Sequence, residues 1–250
     1  MIANLKNFIL DTLFPITCLG CGAPDQWLCE KCLAGIKNIS RQVCPYCEKV
    51  FTDSGTFCPA CLARFHKKNK NPSLDGMIVS AKYKDVSFLI HKYKYAFAKD
   101  LSFVLGKIIS GSLGQNGAPL PDAIIPVPLH GRRKRWRGFN QSELLAEYIG
   151  KNLLPNFPLP VLNDILVRKK YSRPQMRIKD HSARKKNITS AFALSKDFSP
   201  CRIEEKNILL VDDVATTGAT LFECARVLKS AGAKKVFAAV IARQEFKIKS

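Results

Sequence analysis

Ten cysteines occur in the chain, and eight of them form four Cys-x-x-Cys pairs: Cys18/Cys21, Cys29/Cys32, Cys44/Cys47 and Cys58/Cys61. Each pair can bend into a turn that aims two thiolates at one ion, and two pairs complete a tetrahedral Zn2+ site. Gly20, Gly22, Pro45 and Pro59 sit within or beside the pairs and suit such turns. A segment of about sixty residues buries little apolar surface, so a metal is a fitting substitute for a core. Structural zinc contributes on the order of 10–16 kcal/mol in apparent binding free energy, ample for that purpose. Disulfides suit secreted proteins, and no export signal is read here. A redox Cys-x-x-Cys normally occurs once, near a βαβ unit, not four times in tandem. Two structural zinc ions are therefore expected. Consecutive pairing leaves spacers of 7 and 10 residues, interleaved pairing 22 and 25. Both stay open on spacing, and the lower closure entropy of short loops favours the consecutive one. Cys201 and Cys224 have no partner motif, and Cys224 reads as core packing.

A second chemistry lies in residues 208–220, Ile-Leu-Leu-Val-Asp-Asp-Val-Ala-Thr-Thr-Gly-Ala-Thr. Gly218 lets the backbone approach an anion closely, and successive amides at a helix start point at it. The hydroxyls of Thr216, Thr217 and Thr220 add neutral donors. Asp212 and Asp213 would repel a phosphate set directly on them, so they are expected to face another part of the ligand. Vicinal hydroxyls suit them, because a carboxylate accepts two hydrogen bonds well. A diol close to a phosphate describes ribose 5-phosphate. Paired aspartates also follow an apolar strand in phosphate-accepting receiver domains, but there the pair opens the domain, and only 37 residues follow Asp213. The Walker pattern Gly-x-x-x-x-Gly-Lys-Ser/Thr is absent.

To present that loop the chain needs a strand before it and a helix after it. Residues 208–211 are apolar without alternation, as in a strand buried on both faces. The apolar positions of 221–228 predict a helix ended by Gly232, and 236–241 the next strand. Ligands of parallel sheets bind at the carboxyl ends of such strands. Upstream, residues 126–137 predict a rigid turn opening into five cations: Arg132, Arg133, Lys134, Arg135 and Arg137. Asn140 with Glu143 predicts a capping box for a helix through Ile149. Trp136 can stack on a base, although packing is the commoner fate of an aromatic. None of His66, His91, His130 and His181 has a paired ligand at helical or loop spacing.

The 250 residues suggest one or two domains, and 46% apolar content is enough for a packed core. The net charge of +20 is uneven: residues 1–61 hold 5 basic and 5 acidic side chains, residues 126–190 hold 15 and 4. A surface of the second kind attracts phosphates, on metabolites or on nucleic acid. Eight thiolates and two Zn2+ would lower the formal charge by 4, to +16. No stretch reaches the ~20 apolar residues of a membrane span. Asp11 and Thr17 argue against a lipoprotein signal before Cys18, and Leu5, Phe8, Ile9 and Leu13 share one helical face, predicting a short docking helix. A cytoplasmic protein is expected.

Residues 210–220 resemble the phosphoribosyl pyrophosphate motif of type I phosphoribosyltransferases. Pro126-Val127-Pro128-Leu129-His130, Arg132-Arg133 and Arg137-Gly138-Phe139-Asn140-Gln141 resemble the signature of the ComF/GntX family, associated with competence and use of external DNA. So do Phe14-Pro15 ahead of the cysteine pairs and Ala191-Phe192 before the last strands. The resemblance covers nearly the whole chain. It implies an α/β fold, a type I phosphoribosyltransferase-like parallel sheet flanked by helices, with a small N-terminal zinc-ribbon module. The expected division is a double zinc ribbon with its docking helix over 1–66 and the transferase-like domain over 67–250, whose first strand ends at Ile125.

The resemblance also implies a ligand and its contacts. Asp212 and Asp213 are expected to hold the ribose and serve catalysis, Thr216, Thr217, Gly218, Ala219 and Thr220 to hold the 5-phosphate, and Val214 and Ala215 to belong to the same phosphoribosyl pyrophosphate site. Pro128, Arg137 and Gly138 fall where the family holds pyrophosphate, with Mg2+ bridging it. Residues 168–187 match the catalytic loop, with Gln175, Arg184 and Asn187 in its pattern and Arg173, Arg177, Lys179 and His181 unassigned. The leading expectation is a phosphoribosyltransferase-type protein binding phosphoribosyl pyrophosphate, with a nucleobase or amine acceptor unspecified. The alternative is a non-catalytic zinc-ribbon adaptor that engages single-stranded DNA or the DNA-uptake proteins, its ribosyl site sensing or vestigial.

Overall fold

The computed structural model describes residues 16–95, 98–169 and 190–244. The expected docking helix, Phe14-Pro15, Gln175, Arg184, Asn187 and the unassigned cations and histidine of 168–187 other than Arg168 and Lys169 lie outside the described residues.

The N-terminal part has little regular structure. Helix α1 (Glu30–Ala34) starts at its N-cap Cys29, and α2 (Pro59–His66) starts at its N-cap Cys58 with Pro59 in the first turn. Strand β1 (Gly76–Lys82) then leads into α3 (Tyr83–Tyr95) and α4 (Leu101–Gln115). Strand β2 (Ala123–Pro126) is followed by the short α5 (Gly131–Arg137) and by α6 (Gln141–Asn152). A two-stranded antiparallel ribbon of β3 (Leu166–Arg168) and β4 (Phe192–Leu194) precedes β5 (Asn207–Ala215), α7 (Ala219–Ser230) and β6 (Lys235–Arg243).

The main sheet has the order β1-β6-β5-β2 and all its pairs are parallel. Its strands alternate between two cores. Leu209, Val211, Phe237, Ala239 and Ile241 face α3, α4 and α6, where Leu89, Ile90, Leu105, Ile109, Leu145 and Ile149 are buried. Ile208, Leu210, Ala238 and Val240 face α7 and the β3–β4 ribbon, meeting Leu221, Cys224 and Leu228. Cover on both faces is why 208–211 are apolar without alternation. Cys224 is fully buried, as core packing requires.

Three details differ from expectation. The strand β1 precedes the one ending near Ile125 and sits at the far edge, next to β6; its own apolar run is short and blends into the helix that follows. The strand β5 continues to Ala215, because Asp212, Val214 and Ala215 stay in register with Val240, Ala242 and Arg243 of β6. The aspartates therefore sit on a strand, and the loop shrinks to Thr216, Thr217 and Gly218. Asn140 caps α6 by accepting from the Ser142 amide at 3.2 Å, but Glu143 does not complete a box. Both of its carboxylate oxygens accept from Lys134 Nζ at 3.0 Å, a cation that outcompetes a neutral amide.

Residues 38–56, around the third cysteine pair, seal the β1 edge. Gln42 Oε1 accepts from the Val79 amide and Gln42 Nε2 donates to the Val79 carbonyl, at 2.9 and 3.1 Å. Thr56 bridges to Gly76 and Asn38 to Ala81. Gly55 has φ 64°, and a Cβ there would fall 2.0 Å from the Met77 carbonyl, so only glycine allows this close docking. An edge strand covered in this way cannot template further pairing.

Candidate functional site

The eight paired cysteines gather into two groups, Cys18, Cys21, Cys29 and Cys32 in one and Cys44, Cys47, Cys58 and Cys61 in the other. Within each group the sulfur atoms lie within 4.8 Å of one another. This is the consecutive arrangement, the one with short closing loops. The Gly20 and Cys29 amides donate to Cys18 Sγ at 3.4 and 3.3 Å. The Cys29 amide leads in pulling the Cys18 thiol down to about 6, whereas hydrogen bonds to the Cys29 and Cys21 sulfurs, and then burial, push Cys32 up to about 12. One thiolate is easy to form in such a group and a fourth is costly without a cation among them. All-sulfur donor sets at this spacing fit tetrahedral zinc.

The second site is a cleft at the carboxyl ends of β2 and β5. Of the residues nominated from sequence, Pro128, Arg137, Asp212, Asp213, Val214, Thr216 and Thr220 line it. An adjoining depression is lined by Ala215, Thr216, Gly218, Ala219 and Thr220. Gly218 has φ 73° and turns the chain from β5 into α7. Thr217 lines neither; its Oγ1 accepts from the Ala219 amide at 3.2 Å and so braces the loop. Gly138 is also outside the lining, and its φ of 76° ends α5, its amide donating to the Lys134 carbonyl at 2.8 Å.

The two aspartates have separate partners. Asp212 Oδ1 accepts from Ser142 Oγ at 3.0 Å and from the Asp213 amide at 2.8 Å. Asp213 Oδ1 accepts from the Val214 amide at 2.6 Å, and its Oδ2 pairs with Lys94 Nζ at 2.8 Å. Burial, and then the neighbouring Asp213 carboxylate, pushes Asp212 up to about 7, against smaller opposing pulls from the Asp213 amide, Lys94 and Ser142.

Across β2, Asn140 Nδ2 donates to the Val127 carbonyl at 3.1 Å and so ties the loop before α5 to the start of α6. His130 Nδ1 accepts from the Arg132 amide as the N-cap of α5. Burial and then the cations Arg168, Arg132, Arg133 and Arg135 hold the imidazole pKa below its ordinary value, which keeps that nitrogen an acceptor. Arg133 and Arg168 line the cleft, and Arg137 Nη1 donates to Gln141 Oε1 at 3.0 Å. The Arg137 guanidinium also lies 5.6 Å from the centroid of the Tyr95 ring, and Trp136, largely exposed, meets Tyr95 edge-on.

Lys94, Ser142 and Gln141 belong to this cleft without having been singled out for it. Ser142 and Gln141 fall at or just after the matched signature. Lys94 carries a weaker signal: Ile90 and Lys94 share a helical face, but only the packing of α3 on the sheet brings that face to Asp213.

A phosphoribosyl transferase domain family matches residues 162–249, and a double zinc ribbon domain family matches residues 9–66. The parallel sheet with its cleft and the two four-cysteine groups thus belong to one class, double zinc ribbons joined to a phosphoribosyltransferase-type domain. The chain is 31% identical to competence protein F of Haemophilus influenzae over 84% of its own length and 87% of that protein. It is 29% identical to DNA utilization protein YhgH of Escherichia coli O157:H7 (84% and 92% covered) and 26% identical to competence protein ComFC of Bacillus subtilis (84% and 80%). The chain belongs to the ComF/GntX family. Among its described residues, no helix is long and apolar enough to cross a membrane.

Proposed function

We propose that the cleft binds phosphoribosyl pyrophosphate and supports transfer of its ribosyl group. The observation that carries this reading is a convergence of complementary groups. A carboxylate pair and a threonine–glycine loop share the cleft with two buried donors, Arg137 Nε and Gln141 Nε2, that have no hydrogen-bond partner among the described residues. Buried donors without partners are costly, and an anionic ligand would satisfy them. Asp212 and Asp213 would accept from the ribose hydroxyls, and the loop of Thr216, Thr217, Gly218, Ala219 and Thr220 would take the 5-phosphate. Arg133 and Arg137 would hold the pyrophosphate as the C1–oxygen bond breaks and an acceptor nitrogen takes its place. Mg2+ bound with the ligand would supply charge neutralisation of the leaving pyrophosphate. It takes oxygen ligands, which fits the ligand's own phosphates here, since the cleft's Asp213 is already paired with Lys94. The reading also fits the cytoplasm, where thiolates stay reduced.

Isothermal titration with phosphoribosyl pyrophosphate and Mg2+ tests it, and the pH dependence tests the assignment of Asp212. Its pKa of about 7 leaves about a tenth of it ionised at pH 6, so affinity should rise roughly tenfold from pH 6 to pH 8 and then level off. In Asp212→Asn only the titration of the ligand's own phosphate, near pH ~6, should remain. No heat of binding at pH 8 would end the proposal.

A second ligand is favoured by one observation. Helix α5 presents Arg132, Lys134, Arg135 and Trp136 exposed beside the same cleft, cations and an aromatic of the kind that engages single-stranded DNA. The relatives named for competence and DNA utilization point the same way. If DNA uses this rim, phosphoribosyl pyrophosphate with Mg2+ should displace a labelled oligonucleotide in fluorescence anisotropy. Displacement that is absent while DNA still binds would move the DNA site to another surface.

A further inference from the structure

Arg243, at the end of β6, is only 8% exposed and lines neither the cleft nor the adjoining depression. Its guanidinium instead joins two parts of the molecule. Nε donates to the Thr216 carbonyl at 3.2 Å, Nη1 donates to the Pro45 carbonyl at 3.1 Å, and Nη2 pairs with Glu48 Oε1 at 2.6 Å. Thr216 belongs to the threonine–glycine loop. Pro45 lies between Cys44 and Cys47, and Glu48 follows Cys47 with φ 59°, its amide closing the turn onto the Cys44 carbonyl at 2.9 Å. One buried cation therefore grips the turn of the second four-cysteine group with two of its bonds and the loop with the third.

A second link runs alongside. The Phe222 ring, one turn into α7, lies 6.2 Å from the ring of Phe57 and packs on the cluster of Cys44, Phe57, Cys58 and Cys61. A Cβ on Gly218 would stand 3.2 Å from Phe222 and 4.0 Å from Arg243 Nη2, so the loop is flanked by groups seated on the second ribbon. The first ribbon packs elsewhere, its Cys18 and Leu28 against the helical face of the sheet and its Trp27 under Lys92.

We propose that Arg243 is a positioning residue through which the second four-cysteine site, and not the first, sets the conformation of the loop at Thr216 and Gly218. Phosphate-ester binding then depends on metal in that site. A buried guanidinium does not tolerate loss of its acceptors. When the turn around Cys44 and Cys47 loses its metal, Arg243 follows Glu48 or turns to solvent, and the Thr216 carbonyl loses the Arg243 donor. The loop that depends on it contains glycine in the left-handed region, the backbone with the widest choice of alternatives. The ligand part of this inference rests on the proposed function; the coupling of metal site to loop does not.

The test uses the full chain loaded with zinc, with two readouts: amide hydrogen exchange across residues 216–220 without ligand, and calorimetric titration with phosphoribosyl pyrophosphate and Mg2+. Cys21→Ser and Cys47→Ser each remove a ligand of one site, and elemental analysis confirms that each variant has lost one equivalent of zinc. Cys47→Ser should speed exchange in the loop and weaken binding by about tenfold, the worth of one charged hydrogen bond, while Cys21→Ser leaves both unchanged. Arg243→Met and Glu48→Gln, which spare every cysteine, should speed loop exchange at full zinc content, the first more than the second. Arg243→Lys should restore part of it, since an ammonium keeps the charge but not the fork. Equal effects of the two cysteine variants, or unchanged loop exchange in Arg243→Met, would overturn the proposal. A wild-type chain that binds no phosphoribosyl pyrophosphate would end the ligand reading alone, and the exchange measurements would still decide the coupling.

Discussion

Chelation of zinc is expected to unfold both ribbons, and purified protein should carry about two equivalents of the metal, one for each four-ligand site. The expectation follows from what holds these segments together. The buried apolar cluster of the second ribbon is Cys44, Phe57, Cys58 and Cys61, so three of its four members are the expected metal ligands themselves. Burying one phenylalanine is worth ~1.5–3 kcal/mol. Structural zinc is worth ~10–16 kcal/mol in apparent binding free energy, several times more. The loss should spread beyond the ribbons, because Gln42 and Gly55 seal the β1 edge and Arg243 anchors Glu48. Differential scanning calorimetry with and without a chelator measures this, with the metal released followed by a zinc-sensitive dye. The chelated protein should lose the ribbon transition and show a lower melting temperature for the sheet. An unchanged transition in zinc-free protein would remove the metal from its structural role.

The parts of this molecule that sequence makes plain are those fixed by local geometry. Four Cys-x-x-Cys pairs define metal sites because the ligand spacing is itself the chemistry, and loop entropy was enough to favour the arrangement that brings Cys21 beside Cys29 and Cys47 beside Cys58. The run from Ile208 to Gly218 is similarly local: an apolar strand, two carboxylates and a glycine that must adopt a positive φ. What stayed hidden depends on long-range packing. The pairing of Lys94 with Asp213 joins residues from α3 and β5, and the hold of Arg243 on Pro45 spans almost the whole chain. Neither lysine nor arginine announces its partner, since both are common on surfaces and their reach exceeds any sequence spacing. Glu143 shows the converse error: the local pattern predicts a cap, and the nearby Lys134 offers a stronger partner.

The Asp212→Asn/Asp213→Asn double substitution is expected to reduce affinity for phosphoribosyl pyrophosphate by about a hundredfold to ten-thousandfold. Each lost charged hydrogen bond to a ribose hydroxyl is worth ~1.5–3 kcal/mol, or roughly one to two powers of ten. The two single variants should differ in stability, because the carboxylates have different surroundings. Asp212 is pushed up to about 7 by burial and by Asp213, so its folded pKa lies above the ~3.9 of an unfolded chain. A group shifted in that direction makes the fold less stable as pH rises from about 4 to about 7, and Asp212→Asn removes that penalty. At pH 8 the variant should melt no lower than the parent. Asp213, by contrast, balances Lys94, whose side chain is 20% exposed. Asp213→Asn leaves that cation without its carboxylate and should lower the melting temperature, by less than a fully buried pair would. Thermal melts and calorimetric titrations of the three variants at pH 8 separate the two effects. A well-folded double variant that binds as tightly as the parent would take the ribose away from these aspartates, and a cleft whose affinity tracks only the Asp213 substitution would assign the contact to that carboxylate alone.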